Sequence, residues 1–229
     1  MKRWGVLITV FYFAAILLLV IPGFVLLGLK WRPLDEVFRG LLEGYREWWI
    51  WLWIGIIVGG QALLLFLSVD TSWRHARPRQ HVAVTAALAS FFAAVLTGSA
   101  LFAIEVSVYG DHPPPLWEGK EKLFAVTMLA IWIGAWIIWG GIFYQYYRDS
   151  SNAVSAAVSW LLKGSVLELL IAVSAHIVVR QRGDCSAPAV TGFGIVTGIA
   201  IMLLCFGPGV LALYKKKLDA YARRQRHNT

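Results

Sequence analysis

Residues Trp160 to Arg182 read WLLKGSVLELLIAVSAHIVVRQR. The stretch is long and apolar enough to cross a bilayer, yet it carries Lys163, Glu168, His176 and Arg180. Ionisable groups at membrane depth are costly and face the protein interior or a wet cavity rather than lipid. At helical geometry Gly164, Glu168, Ala172, His176 and Arg180 recur every fourth residue and form one slowly drifting ridge. Glu168 then sits near mid-membrane, with His176 roughly 12 Å further along the axis. Neither reaches the other within the helix, so each needs a partner on another element. Low dielectric favours the neutral form of a carboxyl at that depth. Lys163 lies about 140° around the helix from Glu168 and is poorly placed to pair with it. The expectation is that Glu168 is protonated and hydrogen-bonded to Ser, Thr or Gln61 on a neighbouring helix.

The rest of the chain has the same character. Of 229 residues, 59% are hydrophobic and 15% charged, with mean hydropathy +0.65, which is membrane rather than soluble composition. The 12 Trp gather at the ends of apolar runs, as interfacial belts do. The formal charge of +8 is concentrated at the chain ends and in one loop. That pattern points to membrane orientation and not to nucleic acid. Cys185 falls in a short turn and Cys205 well inside the following helix, roughly 24 Å away, too far for a disulfide.

Met1-Lys2-Arg3 followed by an apolar run resembles the start of a signal peptide, but no small-residue cleavage pattern follows Val20. A retained span over about 5–28, kinked at Pro22, is the expectation. Further spans are expected over about 48–67, 82–106, 123–144, 157–180 and 189–214. Residues 33–47 alternate differently: Leu34, Val37, Phe38, Leu41, Leu42 and Tyr45 on one face, charged residues on the other. This predicts an amphipathic helix lying in the interface plane. Close-approach pairs or ridges occur at Gly55/Gly59, at Ala86, Ser90, Ala94 and Gly98, and at Gly194/Gly198. Asp111-His112-Pro113-Pro114-Pro115 excludes a helix between the third and fourth spans. Ser150-Ser151-Asn152 offers N-caps to the fifth, and Gly207-Pro208-Gly209 should loosen the sixth. The tail 215–229 is basic.

The chain is thus expected to be a single transmembrane domain, an all-α polytopic integral membrane protein with six transmembrane helices plus one interfacial amphipathic helix. Six spans put both termini on one face. That face collects twelve of the 21 Lys and Arg, against eight on the other, with Lys163 near the start of helix five the remaining one. The excess predicts cytoplasmic termini in a bacterial-type plasma membrane.

No H-E-x-x-H, Walker loop, G-x-S-x-G or paired C-x-x-C motif occurs, and nothing in the sequence calls for enzymatic activity, a metal or a required cofactor. The candidate site is an intramembrane polar cluster of Glu168, His176, Lys163, Arg180 and Glu105, with His112 at similar depth to His176. A haem held by two histidines of one subunit is poorly served, because His81 and His176 fall at opposite faces. Trp132, Trp136 and Trp139 form a stripe that suits helix packing or lipid better than a quinone platform. Three functions fit: a non-catalytic subunit or scaffold of a larger membrane assembly, a small proton-coupled transporter using Glu168, or a redox subunit that meets haem or quinone. The expected partners are the lipid bilayer and other membrane subunits or further copies of the chain.

Overall fold

A computed structural model describes residues 2–28, 34–68, 79–110, 119–148 and 153–206. All the regular structure among them is helical: α1 (Lys2–Gly28), α2 (Leu34–Arg46), α3 (Trp48–Ser68), α4 (Arg79–Tyr109), α5 (Glu121–Arg148), α6 (Ala153–Arg182) and α7 (Ala187–Phe206). Helices α3 to α7 are each long and apolar enough to cross a membrane, and α1 carries a shorter apolar run, Val6–Val20, before Pro22. The protein is an all-α polytopic membrane protein. Its outer surface agrees: Phe11, Ile137, Ile138 and Leu170 are 75%, 69%, 65% and 64% exposed, a pattern that suits lipid and not water. The basic segment 69–78, the proline loop with His112, the caps at 150–152, the glycine-proline break at 207–209 and the tail 215–229 lie outside the described residues.

Contacts fix the register. Helices α4 and α6 run parallel, from Leu96 beside Gly164, through Ser99 beside Glu168, to the Val108 carbonyl within reach of the Arg182 side chain. Helix α7 returns antiparallel to α6, pairing Thr191 with His176 and Gly198 with Glu168. The turn between them is tight: Gly183 adopts φ 77°, and its N–H donates to the Arg180 carbonyl at 3.3 Å. Arg182 Nη1 donates to the Val108 carbonyl at 3.3 Å, placing a cation on the last turn of α4.

The main core joins α1, α3, α4, α6 and α7 through side chains such as Ile16, Ile54, Phe92, Leu161 and Ile201. Tyr12 Oη donates to the Ala200 carbonyl at 2.8 Å, tying α1 to α7. Helix α7 is the most enclosed span. Helix α5 is the most peripheral, with only Phe143 and Tyr147 buried among its described side chains. It lies along α4, where Trp132 and Trp136 meet Phe91 edge-on at 5.4 and 5.5 Å. The tryptophan stripe therefore packs against α4. Helix α2 packs on α1 and α3, and the corner into α3 is held by Trp51 Nε1 donating to the Tyr45 carbonyl at 2.8 Å.

The glycines divide into used and unused. A Cβ at Gly60 would run into the Phe92 ring, whereas one at Gly55 or Gly59 meets nothing within 4 Å. Gly60→Ala should cost about 1–3 kcal/mol through overpacking. Gly55→Ala on the same helix should cost nothing and gain a few tenths through helix propensity. Melting temperatures of the two variants in one detergent check this; equal values would contradict the packing of α3 on α4.

Candidate functional site

The buried positions of α6 include Val154, Val158, Leu161, Ser165, Glu168, Ala172, Ala175 and Val179, which step alternately by four and three. That 3.5-residue period keeps one seam facing its neighbours along the whole helix. It replaces the every-fourth ridge expected from sequence, which drifts off the interface. Gly164, His176 and Arg180 are only half-buried flanks of the seam, while Glu168 sits within it, 2% exposed at the midpoint of a 30-residue helix.

Two neighbours accommodate the carboxyl. On α4, Ser99 Oγ donates to Glu168 Oε1 at 2.8 Å. On α7, Gly194 and Gly198 leave the space it fills. A Cβ at Gly198 would collide with Glu168 Oε2, and one at Gly194 would lie 2.9 Å from Ser99 Oγ and 3.4 Å from Oε1. The glycine pair on α7 therefore does more than bring two backbones together; it makes room for a polar bridge between α4 and α6. Oε2 is buried with no hydrogen-bond partner among the described groups. Gln61 is not the partner: it is fully buried on α3, with both amide atoms unpaired.

His176 belongs to a separate chain of contacts. Arg180 Nε donates to His176 Nε2 at 3.4 Å, and His176 Nδ1 lies 2.8 Å from Thr191 Oγ1, which itself donates to the Ala187 carbonyl at 3.1 Å. The neutral tautomer with a proton on Nδ1 satisfies all three contacts at once. Both ring nitrogens are thereby engaged, so His176 joins α6 to α7 and offers no free nitrogen to a haem. Lys163 places its ammonium 5.7 Å from the Trp160 ring centroid. No group of three or more His, Cys, Asp or Glu suited to a metal occurs among the described residues. Cys185 is exposed and Cys205 is buried, and no disulfide joins them.

The five expected site residues thus do not form one cluster. Glu168 and Lys163 share the wall of a cavity of about 380 Å³ between α5 and α6. Glu105 lines a second cavity of about 750 Å³, bounded by α3, α4, α5 and α7. Thr97 and Leu101 of α4 contribute to both, so the helix carrying Ser99 is the partition. Comparisons with protein families, curated proteins and solved structures return no match for this chain.

Sequence reading missed Ser99 and Thr191. Ser99 follows Gly98, the end of the small ridge on α4, and the Gly194/Gly198 pair stood out, but no sequence feature says that these two signals meet at Glu168.

If the glycines accommodate the carboxyl, they are energetically coupled to it. Gly198→Ala should destabilise the bundle by about 1–3 kcal/mol. Glu168→Gln, which retains an acceptor and the shape, should be tolerated, and Glu168→Ala should cost about 1–2 kcal/mol. In the Glu168→Ala background the cost of Gly198→Ala should fall by about 0.5–3 kcal/mol. A double-mutant cycle in detergent measures it; strict additivity would show that the two groups do not meet.

Proposed function

We propose that the protein is a membrane-embedded, non-catalytic subunit or scaffold that works in a larger membrane assembly, with further copies of itself or other membrane subunits as partners. One observation carries the reading: Gly55 and Gly59, a close-approach glycine pair on the outer face of α3, are unused within the chain. Of the ridge Ala86, Ser90, Ala94 and Gly98, the first three are buried inside the chain and Gly98 is half-buried beside Trp132, and Gly194/Gly198 are filled by Glu168 and Ser99. Gly55 and Gly59 are exposed with empty space beside them, between Leu52 and Leu63, which are 55% and 50% exposed. In lipid, where the hydrophobic effect gives helices no reason to associate, such a small-residue track lets a second helix approach closely. Glu168, His176 and Arg182 each tie one helix to another within the chain. The assembly belongs in a bacterial-type plasma membrane with cytoplasmic chain termini, on the strength of the cation excess on that face.

A second reading has one specific observation behind it. Glu168 lines a cavity and keeps one oxygen unbonded among the described groups, as a proton-coupled carrier requires. Reconstituted protein would then move protons in the wild type and not in Glu168→Gln.

The primary reading predicts that gently solubilised protein runs well above its 25.5 kDa monomer mass. Gly55→Leu with Gly59→Leu should bring it to the monomer while its helical content by circular dichroism is unchanged. A wild type that is monomeric both in mild detergent and after cross-linking in native membranes would overturn it. The orientation is tested in intact cells with an impermeant thiol reagent on a chain with Cys185 and Cys205 replaced by Ser: Ser107→Cys should label and Asn228→Cys should not, and the reverse pattern would refute it.

A further inference from the structure

Lys163 is a cation to which the chain gives no counter-ion. It precedes Glu168 by five residues, about 7 Å along α6 from mid-membrane. Half of a hydrocarbon core of about 30 Å is 15 Å, so its backbone lies inside the apolar region. Its side chain is exposed, and no Asp or Glu pairs with it among the described residues. Glu168 turns away, to Ser99. The ammonium folds back one turn to lie 5.7 Å from the Trp160 ring centroid, as a lysine reaching for the nearer interface does. Trp160 is 45% exposed, and the half-exposed Tyr146 of α5 meets it edge-on at 6.2 Å. Amphipathic rings of this kind sit at headgroup level. A charge held there calls for an anion from outside the chain.

The cavity of about 380 Å³ begins at this group. Trp160 and Lys163 line one end and Ile171 the other, roughly 16 Å further along α6, with Ala93 to Ile104 of α4 alongside. That length is the depth of one leaflet. Trp139 and Phe143 of α5 wall the Lys163 end; beyond them the groove is bounded by α4 and α6 alone, past the exposed Leu101 and Leu167. Its other polar lining groups are committed: Thr97 Oγ1 donates to the Ala93 carbonyl, and Glu168 accepts from Ser99 and is 2% exposed. Lys163 is thus the exposed charge at the mouth of a leaflet-deep apolar slot. A carboxylate on a neighbouring helix would answer the charge and leave the slot empty, since a helix with its side chains is about 10–12 Å across. The phosphate of a zwitterionic lipid already carries its own cation, whereas that of an anionic lipid is free to meet the ammonium.

We infer that the groove between α4, α5 and α6 binds an anionic phospholipid, its phosphate accepting from Lys163 Nζ at the level of Trp160 and Tyr146, and one acyl chain running toward Ile171. The inference is independent of how the chain assembles and of which face is cytoplasmic.

The test titrates the full chain, stripped of lipid in neutral detergent, with dioleoyl phosphatidylglycerol or dioleoyl phosphatidylcholine, and counts bound lipid by native mass spectrometry. Wild type should hold one phosphatidylglycerol about fivefold more tightly than phosphatidylcholine. Lys163→Gln should erase that preference and Lys163→Arg should keep it. Lys120→Gln, an equal loss of charge at another exposed lysine, should leave it unchanged. Ala100→Phe, which narrows the groove, should weaken both lipids alike, and excess inorganic phosphate should displace neither. Equal affinity for the two lipids, a preference that survives Lys163→Gln, full binding in Ala100→Phe, or displacement by phosphate would overturn the inference. So would loss of oligomer mass with lipid binding intact in Lys163→Gln, which would assign the ammonium to a partner's carboxylate.

Discussion

The bridge from Ser99 to Glu168 is the contact around which the bundle closes. A carboxyl at mid-membrane has no water to turn to, so its position in α6 dictates what the neighbouring helices must be. The parallel helix α4 must offer a donor at the same height, which Ser99 does at 2.8 Å. The antiparallel helix α7 must give up side-chain volume at two successive turns, which Gly194 and Gly198 do. Three helices that share one polar bridge cannot slide by a turn without leaving a buried carboxyl against apolar side chains. In a lipid environment that forbids nothing by hydrophobicity, this fixes register where packing alone would not.

With α4, α6 and α7 locked together, α5 becomes a lid laid along the outside of α4. Its aromatic residues grip Phe91, and its remaining surface faces lipid. A peripheral helix that rests mainly on α4, and meets α6 only where Phe143, Tyr146 and Tyr147 reach Ala157 and Trp160, leaves a groove on each side, and the two cavities share Thr97 and Leu101. One groove exposes the flank of the Glu168 seam; the other is an aromatic slot. The architecture thus separates what the chain uses for its own cohesion from what it presents to the membrane, the outward Gly55/Gly59 track among the latter.

Much of the fold was legible because hydropathy and helix length are local properties. Long apolar runs read as helices, and helices are what the described residues form, while the expected end of the sixth span at 214 lies outside them; Lys163 is poorly placed to satisfy Glu168, and its ammonium turns to Trp160. The seam was less legible. Counting every fourth residue tied Glu168 to His176 and Arg180, whereas supercoiled packing follows alternating steps of three and four, and His176 turns instead to Thr191 on α7. The central role of α7 was also hidden, because a helix buried on all sides reads in sequence much like one bathed in lipid. Which glycine pairs are internal and which face outward depends on helix rotation, and Gly55/Gly59 and Gly194/Gly198 are indistinguishable as sequence.

The measurement closest to the central claim is a cross-link between α4 and α7 beside the carboxyl. A Cβ at Gly194 lies 2.9 Å from Ser99 Oγ, close to the Cβ to sulfur separation, roughly 3 Å, that a disulfide imposes. With Cys185 and Cys205 replaced, Ser99→Cys and Gly194→Cys should form a disulfide on mild oxidation in native membranes, and Ser99→Cys with Gly55→Cys should remain reduced. Failure of the first pair to cross-link, or equal cross-linking of both, would contradict the account.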